Sequence, residues 1–121
     1  MKRTLFFLFF LFAATVAVQA QSDYYLRQAQ SYQRDAEFSQ RQAEGYRRDA
    51  VYHLKKAEGY QREVSYYARR NDADKVKRYS GYAEDEMEKY ERYMRYAAEA
   101  DEKATRYLRY AAEALDKHSR Q

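Results

Sequence analysis

The sequence predicts an all-α fold: a long antiparallel helical hairpin of coiled-coil type, written in 14-residue repeats. Dimerisation into a four-helix bundle is the expected way to cover its remaining apolar faces. Three observations carry this. First, RYMRYAAEADEKAT from Arg92 returns as RYLRYAAEALDKHS from Arg106. Fourteen residues is two heptads, about four turns of a helix supercoiling on a partner. Second, the chain has no Pro, so nothing in it forbids uninterrupted helix. Third, beyond residue 20 the apolar residues recur at alternating spacings of four and three, and the period-two alternation of strands is missing.

The first segment is an expected export signal. Lys2 and Arg3 form a short basic region, and Leu5 to Val18 is an apolar run. That run has the length of a signal core and is short for a membrane span. Val18-Gln19-Ala20 offers small residues at the cleavage positions, so cleavage is expected after Ala20. Residues 1–20 carry two basic and no acidic residues. The processed chain therefore holds 21 Lys and Arg against 19 Asp and Glu, and the formal charge of +4 falls to about +2. A basic isoelectric point alone is then a weak argument for polyanion binding. No later segment is apolar enough to span a bilayer.

Residues 21–121 are read as a single helical-hairpin domain. Ser22 and Asp23 are suited to cap a helix over about 24–70. Its seam has one line at Ala29, Ala36, Ala43, Ala50, Ala57 and Val64. The other runs through Tyr25, Tyr32, Ser39, Tyr46, His53, Tyr60 and Tyr67. The repeat shows here too, as AQSYQRDA, AEGYRRDA and AEGYQREV from Ala29, Ala43 and Ala57. Its phase breaks after Tyr67, across Arg69 to Lys75, which has no apolar face. Asn71 suits the residue after a helix end, and Asp72 or Asp74 suits the next cap. A turn at about 70–74 follows, then a second helix over about 73–118 with Ala83, Tyr90, Ala97, Ala104 and Ala111 on its seam. Met87, Met94, Leu108 and Leu115 flank that seam on one side. Each arm of about 45 residues would reach about 65–70 Å at 1.5 Å per residue.

Catalytic chemistry has little support. With no Cys there is no disulfide, thiolate metal site or cysteine nucleophile. There is no Gly-rich phosphate loop, nucleophile elbow or Glu-x-x-His pair. His53 reads as a polar seam residue, and His118 as a residue favourable to a helix C-terminus. Most carboxylates sit three or four residues from a cation, as Glu44 does from Arg48 and Glu99 from Lys103, the pattern of solvated pairs. No enzyme activity, cofactor or metal is expected.

Tyr interleaved with Arg is the feature with functional reach. Such surfaces can stack rings on bases, sugars or lipid headgroups while guanidinium groups meet anions. The candidate interaction face comprises Tyr66, Arg69 and Arg70, then Tyr93, Arg95 and Tyr96, then Tyr107, Arg109 and Tyr110. To these is added an outer aromatic line outside the seam, Tyr24, Phe38, Tyr52 and Tyr66. Because each seam Ala contributes only about a kilocalorie or less, a lone hairpin leaves many Tyr faces wet.

The expected role is that of a secreted or periplasmic, non-enzymatic structural or interaction protein. It would act through coiled-coil self-association as a homodimer or higher oligomer. Two other readings stay open. One is a module that binds an anionic envelope polymer or glycan through a Tyr/Arg face. The other is a periplasmic holdase-type chaperone that grips client proteins between its arms.

Overall fold

The computed structural model describes residues 2–120, with side chains described from Asp23 to Arg120. It is all-helical. Two long helices, α1 (Lys2–Arg69) and α2 (Ala73–Ser119), pack on each other as a helical hairpin. The expected signal segment and its cleavage site lie outside the residues with described side chains. Asp23 lies inside α1 rather than in front of it.

Three residues reverse the chain. Asn71 has φ 58°, the left-handed conformation that Asn tolerates better than most side chains. Its N–H donates to the carbonyl of Ala68, and the N–H of Asp72 donates to the carbonyl of Tyr67. These two bonds satisfy the last open carbonyls of α1 as a Schellman motif. Asp72 also caps α2: its Oδ1 accepts from the N–H of Lys75 at 3.2 Å, and its carbonyl accepts from Val76. One residue thus closes α1 and opens α2.

The chain divides into two compact units, one from Ser39 to Glu102 and one from the flanking residues up to Phe38 and from Lys103 onward. In the 39–102 unit the buried side chains are mostly Ala: Ala43, Ala50, Ala57, Ala83, Ala97 and Ala100, with Ser39 and Glu86. Ala at the seam lets two backbones approach closely, and the larger Tyr side chains then stack beside it. Tyr46 packs on Tyr93 and Tyr96, with ring centroids 6.3 and 5.4 Å apart. Fourteen residues on, Tyr60 packs on Tyr79 and Tyr82 at 6.2 and 5.4 Å. Each step of fourteen along α1 is matched by fourteen back along α2, as antiparallel helices require.

The other unit repeats this chemistry. Ala29, Ala36, Ala104, Ala111 and Ala114 are buried, and Tyr32 packs on Tyr107 and Tyr110 at 6.4 and 5.4 Å. Lys117 places its ammonium 5.8 Å from the Tyr25 ring. Among the described residues no helix is long and apolar enough to cross a membrane.

Candidate functional site

Two features of the 39–102 unit stand apart from the Ala–Tyr seam. The first is a polar level inside it. Between the two Tyr levels, His53 of α1 meets Glu86 of α2, and Glu86 is almost fully buried. His53 Nδ1 donates to Glu86 Oε2 at 2.5 Å. Lys56 and Lys89 reach the other carboxylate oxygen with Nζ at 3.3 and 3.5 Å. The His53 ring lies flat on Tyr93, with centroids 5.4 Å apart and planes 5° from parallel, and meets Tyr52 edge-on.

Burial alone would push the Glu86 carboxyl up. The hydrogen bonds from His53 and Lys56, and the charges of Lys56 and Lys89, outweigh it and hold Glu86 below its ordinary 4.5. The same hydrogen bond and charge raise Lys56 above its ordinary 10.5. A carboxylate held ionised by its bonds to His53 and Lys56 and by the nearby charge of Lys89 suits a fixed structural pair. No group of three or more His, Asp or Glu among the described residues is placed to hold a metal ion.

The second feature is the outer aromatic line. Tyr52 and Tyr66 are 58% and 44% exposed on α1, and Val51 is exposed beside Tyr52. Each ring carries a cation on one face: Lys56 is 5.4 Å from the Tyr52 centroid and Arg70 is 4.3 Å from that of Tyr66. In the other unit Tyr24 and Phe38 are each 56% exposed, and Tyr24 meets Tyr25 edge-on.

The remaining candidate residues do not gather on one face. Tyr93 and Tyr107 are half-buried seam residues, committed to Tyr46 and His53 and to Tyr32 respectively. Tyr96 and Tyr110 flank the seam, partly exposed, and each leans on the same partner ring as its neighbour. Arg69 and Arg70 are exposed at the turn. Arg95 is exposed on α2 at the level of Tyr46, about 35 Å along the helix from Arg69. Arg109 is exposed in the other unit.

Glu86 and its two Lys partners were not singled out by sequence reasoning. The available signal was phase: Glu86 falls on the same seven-residue line as Tyr79, Tyr93 and Tyr107, where the other residues are Tyr or Ala. A charge in such a line calls for a partner across the seam. No protein-family model, curated protein or solved structure matches this chain.

Proposed function

We propose that the protein works by helix-on-helix association with further copies of itself, as an exported structural or interaction protein. One observation carries the reading. The seam of the hairpin is built from Ala and half-covered Tyr, while large apolar side chains stay exposed outside it. They are Val51, Tyr52, Tyr66, Tyr82, Met94 and Tyr96 in one unit, and Tyr24, Phe38, Leu108, Tyr110 and Leu115 in the other. Exposed apolar side chains repeated at this density mark association surfaces, and helical arms cover such stripes by packing on other helices. The sequence around Ala20 supports export before this occurs.

The test is to express the chain with its own leader and recover it outside the cytoplasm. Its N-terminus is then read by mass spectrometry and its solution mass by light scattering. The expected result is a chain beginning at Gln21 with a mass of two or more copies at micromolar concentration. Replacing Tyr52 and Tyr66 with Ser should weaken association about tenfold or more. A monomer at every concentration refutes the reading.

A further inference from the structure

From Arg27 to Arg69 every seventh residue of α1 is basic, on the line that faces away from the seam. In the 39–102 unit these are Arg41, Arg48, Lys55, Arg62 and Arg69, all exposed. The same spacing continues in the sequence at Arg27 and Arg34. None of the five makes an ion pair within the described chain. Three residues before each cation, one turn back on the same face, stands either an aromatic ring or a residue too small to shield it. Tyr52 precedes Lys55 and Tyr66 precedes Arg69, while Gly45 precedes Arg48 and Gly59 precedes Arg62. The guanidinium nitrogens of Arg48 and Arg62 lie only 3.8 Å from where a Cβ of those glycines would stand. The result is a strip of cations and rings with no acidic residue in either line.

The opposite chemistry lies on α2 of the same unit. An open groove of about 630 Å³ is floored by Val64, Ala83 and Met87, which are buried or half-buried. Its α2 wall is lined by Glu84, Glu88 and Glu91, all exposed, and none of the three makes an ion pair. The imbalance extends to the helical segments of this unit. From residue 39 to 69, α1 has seven basic and four acidic residues. From 73 to 102, α2 has six basic and nine acidic. Within this unit one helix is net positive and the other net negative by the same amount.

We infer that the acidic groove of one copy receives the cation–aromatic strip of a second copy, Tyr52 and Tyr66 meeting the apolar floor and Lys55 and Arg62 meeting Glu84, Glu88 and Glu91. This rests on the self-association proposed above and names its surfaces. Charge complementarity selects the occupant: the strip needs a long acidic partner with apolar patches at helical spacing, and the chain's own α2 is one. Strip and groove are different patches, so the contact is head-to-tail. A pair keeps one free groove on one copy and one free strip on the other, and assembly can continue past two. Lys56 and Arg70, already seated on the ring faces, leave the rings' edges and outer faces for the partner.

A charge exchange tests it. One variant carries Arg48→Glu, Lys55→Glu and Arg62→Glu. The other carries Glu84→Lys, Glu88→Lys and Glu91→Lys. These six side chains are exposed and unpaired, so circular dichroism should show helix retained in both. Each variant alone opposes like charges, and its association should weaken at least about a hundredfold. An equimolar mixture restores opposite charges at every contact and should recover assemblies of wild-type size. Wild-type association should also weaken as salt rises. If either variant alone keeps the wild-type mass, these surfaces are wrong although self-association stands. If wild type is monomeric, both proposals fail. A monomeric wild type that binds immobilised heparin, with the Glu-substituted strip failing to bind, would assign the strip to a foreign polyanion instead.

Discussion

Two neighbouring levels of the same seam hold together by different physics. At Tyr46, Tyr93 and Tyr96 three rings remove apolar area from water and meet at favourable tilts. At His53 and Glu86, half a 14-residue unit away, a carboxylate is taken out of water and held by His53 and by two ammonium groups. The first gains free energy from area. The second recovers, through charge-assisted bonds, what desolvation costs it. The difference appears when the helices slide. A slip of fourteen residues brings Tyr opposite Tyr again, so the aromatic levels resist it weakly. The same slip sets His53 opposite Ala100 and Glu86 opposite Tyr67, leaving a buried carboxylate without its partners. The Tyr levels supply stability, and the polar level penalises departures from the register that the turn sets.

This division can be broken from either side. The largest effect is expected from Tyr46→Ala, which removes a ring between two others. Thermal or urea unfolding should show a loss of about 2–3 kcal/mol, with the shape of the pH–stability curve unchanged.

Glu86→Gln should cost less at neutral pH, about 1–2 kcal/mol, but change the curve. Glu86 titrates below its ordinary 4.5 in the folded state. Its contribution is therefore fully present above about pH 4.5, and is lost as pH falls through the lowered folded value. The Gln variant should flatten that acid limb. It should also remove the alkaline contribution of Lys56, whose raised value makes its share present below 10.5 and lost above it. An acid limb as steep as wild type would show that Glu86 does not couple to folding.

The smallest effect is expected at Arg47 and Asp101, an ion pair across the same seam that stays half-exposed. Arg47→Ala should cost about 0.5 kcal/mol or less, and less still in high salt. A loss as large as that of Glu86→Gln would overturn the claim that burial separates the two pairs.

Helix, hairpin and seam were legible because they rest on periodicity within one segment. Ala43, Ala50 and Ala57 lie seven apart and are all buried. The pairing of His53 with Glu86 was not legible in the same way. It depends on how α1 is set against α2, and one residue more or less in the turn would rotate every partner on α2 by about 100°. Tyr93 and Tyr107 illustrate a second limit. Arg-Tyr-x-Arg-Tyr looks like a surface motif by composition. A Tyr on the seam line and a Tyr three residues later differ only in angle, and burial separates them: Tyr93 is half-buried and Tyr96 exposed. The basic line of α1 was written at a fixed interval, but its meaning needed the acidic groove, whose walls come from segments about 20 residues apart.

The stacked rings also make the seam its own optical label. The chain has fifteen Tyr and no Trp, so no indole masks the phenol signal or drains its excited state. Rings held 5.4–6.4 Å apart across two helices sit in fixed chiral surroundings and give near-ultraviolet dichroism that vanishes when the helices part. Helix content read in the far ultraviolet would survive a separation that left each helix intact. Comparing the two wavelengths on the unmodified protein distinguishes an opened hairpin from an unfolded one.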